Sequence, residues 1–226
     1  MCTILYIVHM SPTLSIENPF AAGATAGSMF INAASLRTIG THGWSDKFKT
    51  YMEQGTEIAK ELEKQCDKFI KMFRNDDGRG KVVILAGYPG SGKTVIADAL
   101  AGLARPFKQI NMGASNLTSH DDMIKRLTFE GGCKRLPRAV INGVFLNKDT
   151  IDTLISALKR DDTDIHVIQF DVPMEYAYFN NVKRFEANGA AALIPVRIYE
   201  AMEAMRELLP LDNTNVHTVR YNPIIM

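Results

Sequence analysis

The chain has 226 residues, of which 46% are hydrophobic and 23% are charged, and its formal net charge is +1. This composition is typical of a globular protein, and the near-neutral charge excludes a general electrostatic attraction to nucleic acid or membranes. Three widely separated cysteines (Cys2, Cys66 and Cys133) lack the spacing of a zinc site. We therefore expect neither disulfides nor structural zinc, and a reducing, cytoplasmic compartment.

The first 80 residues are predicted to form an extension that precedes the main domain. Residues 3–8 are an apolar run, too short to span a bilayer and without a basic leader, and they favour a β-strand. No other run approaches transmembrane length, so we expect no membrane contact. A polar, glycine-containing segment at 75–80 separates the extension, 1–80, from a domain at 81–226.

Residues 45–74 are predicted to form one long amphipathic helix. Ser45 is a candidate N-cap, and Asp46 lies in the first turn. Apolar residues recur at steps of three and four, and we call them the aromatic stripe: Phe48, Tyr51, Met52, Gly55, Ile58, Ala59, Leu62, Cys66, Phe69, Ile70 and Phe73. We expect the aromatic stripe to pack against the main domain. The alternative is an interface with a partner or with a second copy of the chain, giving a homo-oligomer.

From residue 81 onward, apolar strand patterns alternate with helical patterns. Strands are predicted at 82–86, 107–110, 138–142, 165–170 and 216–221. Helices are predicted at 92–104, 119–129, 149–160, 173–189 and 195–208. Such alternation is typical of βαβ units. We therefore predict an α/β protein, a three-layer α/β/α fold with a five-stranded, mainly parallel sheet and an N-terminal helical extension.

The first of these strands and the helix after it flank a glycine-rich turn. The turn has the pattern G-x-x-x-x-G-K-[ST], formed by Gly87, Tyr88, Pro89, Gly90, Ser91, Gly92, Lys93 and Thr94. Glycines let main-chain N–H groups face a phosphate, and the helix N-terminus adds its positive end. Lys93 is expected to reach the β- and γ-phosphates, and the Thr94 hydroxyl to bind Mg²⁺. These residues predict a nucleoside triphosphate site, with ATP as the expected donor and nothing in the motif to distinguish it from GTP.

Two other classes of phosphate-loop protein fit the sequence less well. Residues 147–150 approach the guanine-binding pattern N-K-x-D, but the acid is one place early, and Asn147 or Asp149 better fits a helix cap. A motor or AAA-type ATPase would have an apolar strand ending in paired acids. The third predicted strand ends instead in Asn142, which Gly143 follows. A small phosphoryl-transfer kinase is the class that remains.

Residues 82 to about 209 resemble the polynucleotide-kinase and zeta-toxin branch of P-loop kinases. The resemblance rests on the G-x-P-G-S-G-K-[ST] form of the turn and on later segments: 139–147 for the V-I-D-G strand end, 170–175 for D-x-P-x-E, 180–184 for the lid signature R-N-x-x-R, and 193–202 for the helix that follows. It implies a P-loop kinase-like fold and a transfer of the γ-phosphoryl of ATP, with Mg²⁺, to a hydroxyl on a nucleic acid or nucleotide.

The resemblance leaves the acceptor open. A polynucleotide 5′-hydroxyl and a hydroxymethylated base in DNA are the acceptors that it favours. A zeta-like kinase acting on a nucleotide sugar is one alternative. A switch or binding module that holds the nucleotide without transferring phosphate is the other.

The resemblance also implies roles on the donor side. Arg184 takes the place of the second lid arginine, which stabilises the transferred phosphoryl, and Lys183 and Arg197 lie nearby in the sequence. Asn180 stands where the first lid arginine is expected. Asn142 stands where the family often has Asp, and it is expected to assist in binding Mg²⁺ although its amide carries no charge.

The acceptor side is expected between the second and third strands. Asp121 and Asp122 resemble the D-D-x-x-R element of the branch, in which one acid serves as general base and Arg126 contacts an acceptor phosphate. Acids that follow a Ser119 cap in the first turn of a helix are the alternative explanation. His120 is a further candidate base.

A basic cluster surrounds this element and is expected to position the phosphates of the acceptor. Its members are Lys125, Arg126, Lys134, Arg135 and Arg138. A solvated loop is the alternative. Arg126, Lys134 and Arg135 are the predicted substrate-binding residues.

Overall fold

The computed structural model describes residues 43–74, 79–111, 138–188, 193–210 and 215–220. Five parallel strands form one sheet: β1 (Gly80–Ala86), β2 (Lys108–Asn111), β3 (Ala139–Gly143), β4 (Thr163–Asp171) and β5 (Val216–Arg220). Their order is β2-β3-β1-β4-β5. All residues of the central strand β1 are buried, as expected for a continuous apolar strand covered on both faces. The predicted α/β class is confirmed.

Helices cover both faces of the sheet. The described helices are α1 (Ser45–Glu53), α2 (Gly55–Arg74), α3 (Lys93–Ala101), α4 (Lys148–Leu158), α5 (Met174–Asn188) and α6 (Val196–Ala204). Because successive strand residues point to opposite sides, Val83 and Leu85 join the core formed with α1, α2, α3, α5 and α6, whereas Val82 and Ile84 join the core under α4. The predicted three layers are therefore present.

Parallel strands bring their carboxyl ends to one edge of the sheet. In the paired register, Leu85 lies opposite Asn142, and Asn142 lies opposite Asn111. On the other side of β1, Ala86 lies opposite Gln169. The turn that follows β1 thus opens between the ends of two neighbouring strands, where open α/β sheets bind their ligands.

Several helix ends differ from the predicted ones for tertiary reasons. The helix α6 ends at Ala204 rather than 208, and the chain after it hydrogen-bonds to the segment after β3: Glu207 N–H donates to Leu146 O at 2.7 Å. The cap of α4 is confirmed as Asn147, whose side chain accepts a bond from Thr150 N–H at 2.8 Å.

None of the described helices is long and apolar enough to cross a membrane. The predicted strand 3–8 and helix 119–129 lie outside the described residues.

The predicted helix 45–74 is two helices that meet at Gln54. Glycine is a weak helix former, and Gly55 begins α2 directly after this break. The two helices stay connected, since Gln54 N–H donates to Thr50 O at 2.9 Å and Gln54 O accepts from Ile58 N–H at 3.0 Å. The N-cap of α1 is Trp44 rather than Ser45, which is already helical.

Seven members of the aromatic stripe are buried inside the chain. Phe48 packs edge-on against Phe179 of α5, and Tyr51 packs edge-on against Tyr176, each with ring centroids 5.1 Å apart. The α2 members of the same core are Ile58, Leu62, Cys66, Phe69 and Phe73. The stripe thus packs against the main domain, the first of its two predicted roles. A homo-oligomer would have to use another surface of these helices.

Two histidines lie between α2 and the sheet. His166 of β4 and His217 of β5 stack with ring planes 19° apart, and Nδ1 of the first lies 3.3 Å from Nε2 of the second. Phe73 and Phe69 lie edge-on against them, with ring centroids at 4.9 and 5.9 Å. Burial lowers the pKa of His217, and the positive charge of Lys68 on α2 lowers it further.

We expect the protein to lose stability as the pH falls below about 6.5, the ordinary pKa of histidine. Because the pKa of His217 is lower in the folded protein than in the unfolded chain, acidification protonates the unfolded chain first and favours it. One such proton contributes at most about 1.4 kcal/mol per pH unit. Thermal unfolding between about pH 7.5 and about pH 5 measures the slope. His217→Gln should flatten it, and an unchanged slope in that variant contradicts the assignment.

Candidate functional site

The turn between β1 and α3 carries the glycine-rich motif. Gly92 is the N-cap of α3 and has φ +98°, a left-handed conformation that favours glycine. A Cβ at this position would lie 3.1 Å from Leu62 Cδ2 of α2. The first N–H groups of a helix have no partner within it and carry its positive end. The start of α3 is therefore suited to bind an anion.

The tip of the turn lies against α5 and α6. Gly90 has φ +82°, and a Cβ there would lie 2.3 Å from Ala177 O. Asn180 Nδ2 donates a hydrogen bond to Gly90 O at 2.9 Å. The hydroxyl of Tyr199 donates to Pro89 O, also at 2.9 Å. Side chains of two helices thus hold the outer side of the turn.

Lys93 lies in the first turn of α3 and folds back over the motif. Its Nζ donates to Gly87 O at 2.8 Å and to Tyr88 O at 2.5 Å. The side chain is buried, which lowers the pKa of Lys93 to about 7, and the positive charge of Arg184 adds to this effect. In the described part of the chain no carboxylate pairs with it. A bound anion would favour its charged form.

The two predicted metal ligands are neighbours. Asn142 Nδ2 at the end of β3 donates to Thr94 Oγ1 at 3.4 Å. Both side chains offer uncharged oxygens, and the described ranges contain no group of three His, Cys, Asp or Glu side chains that could hold a metal. Mg²⁺ prefers oxygen ligands and completes its shell with water and substrate phosphates. This pair therefore suits Mg²⁺ in company with a bound triphosphate.

Arg184 is exposed on α5, yet its charge acts on the turn. It lowers the pKa of Lys93, and it opposes the rise that burial causes in the pKa of Tyr199. Arg184 lies four residues after Asn180, whose side chain bonds to the turn, so the two residues share a face of α5. Asn180, which the sequence resemblance matches to a lid arginine, bonds to the turn and supplies no charge.

Tyr88 takes part through its main chain rather than its ring. The ring is fully buried, 6.1 Å from the ring of Tyr199 and 5.5 Å from the Arg206 guanidinium. Arg206 in turn pairs with Asp171 at the end of β4, at 3.1 Å. Because the ring packs against Tyr199 and Arg206, the predicted part of Tyr88 in binding is limited to its peptide groups.

Ser91 places an unsatisfied hydroxyl inside the turn. Its N–H closes the turn onto Tyr88 O at 3.2 Å, while its buried Oγ has no hydrogen-bond partner among the described residues. A buried hydroxyl without a partner costs free energy, which a bound phosphate oxygen would recover. The turn is a P-loop.

The predicted acceptor-side residues lie outside the described ranges and stay predictions: Asp121, Asp122, Arg126, Lys134 and Arg135, with His120. Arg138, the last member of the basic cluster, is described and has a different role. Its guanidinium lies 4.5 Å from the ring centroid of Phe107 and donates to Phe73 O. It therefore joins α2 to the sheet.

Comparison with known proteins gives partial likenesses. No protein-family model matches the chain. A stretch of 118 residues, half of this chain, is 31% identical to the replication factor C large subunit of Sulfolobus acidocaldarius and spans 25% of that protein. A gluconokinase structure from Sinorhizobium meliloti 1021 has a TM-score of 0.44 at 16% identity, covering 62% of this chain and 82% of that one. A putative fructose transport system kinase from Silicibacter sp. TM1040 has a TM-score of 0.38 at 18% identity, covering 70% and 98%.

Proposed function

We propose that the protein is an ATP-dependent phosphotransferase that moves the γ-phosphoryl group to an alcohol acceptor. The observation that carries this proposal is the P-loop at the start of α3, where the buried Lys93 ammonium donates to Gly87 O and Tyr88 O. Arg184 of α5 supplies a second positive charge, which lowers the pKa of Lys93. A P-loop with one lysine is enough to hold a triphosphate. A second cation from another element serves the transfer, in which negative charge spreads over the oxygens of the moving group.

Each donor-side residue has one role in this proposal. The main-chain N–H groups of the turn, apart from that of Ser91, and Lys93 hold the β- and γ-phosphates, and Arg184 stabilises the transferred phosphoryl. Thr94 and Asn142 hold Mg²⁺, which neutralises phosphate charge when it is bound. The buried setting of Lys93 strengthens its attraction to the phosphates, because little water competes with them.

We propose a hydroxyl on a nucleic acid or nucleotide as the acceptor, with a polynucleotide 5′-hydroxyl and a hydroxymethylated DNA base as first choices. The sequence resemblance over 82–209 supports this choice. Asp121 or Asp122 then takes the proton of the hydroxyl. The acceptor's phosphates bind the cations Arg126, Lys134 and Arg135.

A nucleotide-dependent switch is the second candidate. Two charges of the resembled family are absent here, because Asn180 replaces a lid arginine and Asn142 replaces an acid. The structure uses the Asn180 side chain to hold the P-loop. Both replacements are compatible with a site that binds the nucleotide tightly and does not transfer its phosphoryl group. A nucleotide-sugar kinase differs from the first proposal in its acceptor alone.

Labelled ATP distinguishes these functions. The protein is incubated with γ-labelled ATP and Mg²⁺ beside separate pools of DNA, nucleosides and sugar nucleotides. Label on DNA or nucleosides supports the proposed acceptor, and label on sugar nucleotides supports the zeta-like alternative. Tight ATP binding without label in any pool supports the switch. Absence of ATP binding by calorimetry refutes all three.

An Asn142→Asp variant should need less Mg²⁺ than the wild type. The carboxylate would replace a neutral amide oxygen beside Thr94 by a charged one, and charged ligands raise the affinity for cations. We expect the Mg²⁺ concentration for half-maximal ATP binding to fall by about three- to tenfold. Asn142→Ala, which removes the oxygen, should shift it the opposite way. Equal Mg²⁺ dependence in the three proteins would contradict a metal at this position.

A further inference from the structure

The peptide groups at the tip of the P-loop are oriented by side chains from outside the motif. Tyr199 bonds to Pro89 O, and Asn180 bonds to Gly90 O, each at 2.9 Å. In a trans peptide unit the C=O and N–H groups point in opposite directions, and no described peptide bond is cis. The bond from Tyr199 therefore turns the Gly90 N–H away from α6. The bond from Asn180 turns the Ser91 N–H away from α5.

These directions determine what the turn can bind. Proline has no N–H, so the Gly90 N–H is the first donor after Pro89. The Ser91 N–H closes the turn onto Tyr88 O at 3.2 Å, which sets the shape of the turn. A loop whose shape and Gly90 N–H direction are set before the ligand arrives loses less conformational entropy when the ligand binds.

The two side chains are themselves held in place. The ring of Tyr199 is fully buried, with ring centroids 5.5 Å from Tyr178 and 6.1 Å from Tyr88. Asn180 lies one turn after Ala177. The Ala177 carbonyl packs against Gly90, and there is room for this contact only because Gly90 has no Cβ. Packing thus determines the positions of both donors before any ligand arrives.

We propose that Tyr199 and Asn180 are positioning residues that orient the P-loop for a polyphosphate chain. In this role Asn180 supplies a neutral donor to the loop in the place where a lid would carry an arginine. The inference rests on the proposed nucleotide site and specifies the part of the ligand concerned. That part is the phosphate chain. Loss of either positioning residue should therefore weaken the binding of a nucleotide and of inorganic tripolyphosphate to the same degree.

The test compares single variants of the full chain. Tyr199→Phe removes one hydroxyl, and Asn180→Leu removes one donor. Each should bind tripolyphosphate and Mg-ATP about three- to tenfold more weakly, the usual effect of one lost hydrogen bond. Tyr51→Phe is the matched control, because Tyr51 is equally buried and its hydroxyl has no hydrogen-bond partner among the described residues. It should bind both ligands like the wild type.

A second measurement separates positioning from loss of stability and does not depend on a ligand. Amide NMR of the free protein should show shifted Gly90 and Ser91 resonances in Tyr199→Phe and Asn180→Leu, but not in Tyr51→Phe. Unchanged resonances and unchanged affinities in both variants overturn the inference and leave the proposed function intact. If the wild-type protein binds ATP but transfers phosphate to no acceptor, the proposed phosphotransferase activity is refuted. Weaker binding by both variants would still support the positioning role in that case.

Discussion

A Lys93→Met variant should bind ATP roughly ten- to a hundredfold more weakly than the wild type. Its rate of phosphate transfer should fall by about a thousandfold or more. Methionine keeps the length and apolar stem of the side chain, so the change removes the ammonium alone. The lost group is the buried cation that caps Gly87 and Tyr88 and has no acidic partner in the described ranges. Calorimetry measures the binding, and transfer of labelled phosphate measures the rate.

Stability and proton uptake serve as controls for this variant. Burial penalises the charged form of Lys93, so the free Lys93→Met protein should unfold at the same temperature as the wild type or higher. At about pH 8 most wild-type Lys93 is neutral, since its pKa is about 7, and a bound triphosphate restores the charge. ATP binding should then take up as much as one proton. Calorimetry in buffers of different ionisation enthalpy detects the proton, which the variant should not take up.

Two results would contradict this assignment of Lys93. One is full transfer activity in Lys93→Met. The other is equal ATP affinity of the wild type and Lys93→Met, which would mean that the ammonium does not meet the phosphates.

Gly90→Ala should destabilise the protein by roughly 2–5 kcal/mol and abolish measurable ATP binding. Its backbone has φ +82°, and the new Cβ would lie 2.3 Å from Ala177 O, a main-chain atom that moves only with α5. Relief of this overlap displaces the turn and breaks its bonds to Asn180 and Tyr199. Denaturant unfolding measures the loss of stability, and calorimetry measures the loss of binding.

Gly43→Ala is the matched control for this substitution. Gly43 also has a left-handed backbone, with φ +64°, but a Cβ there meets nothing within 4 Å. This variant should therefore lose only about 1–2 kcal/mol, the cost of the conformation itself, and bind ATP normally. Equal losses of stability in the two variants would show that the packing of Gly90 against α5 is unimportant.

The local features of this protein were predictable because their residues are neighbours in the chain. The P-loop needs eight consecutive residues that join a strand to a helix. The structure places six of them between β1 and α3, and the last two, Lys93 and Thr94, begin α3. The five strands and the Asn147 cap follow from apolar runs and from one short-range hydrogen bond. Asn142 lies within hydrogen-bond distance of Thr94 because the parallel strands β1 and β3 end at the same edge of the sheet.

Contacts between distant residues decided the rest. In the sequence, Asn180 looked like a lost arginine, and Tyr199 like one position in a helix motif. The fold brings Asn180 to Gly90, 90 positions earlier in the chain, and Tyr199 to Pro89, 110 positions earlier. Arg138 belonged to a basic cluster by sequence, but it bonds to a carbonyl 65 positions away. A side chain's donors are visible in the sequence, whereas their acceptors depend on how the helices pack on the sheet. The amino-acid order therefore determined that a P-loop is present, and tertiary packing determined which residues hold it in shape.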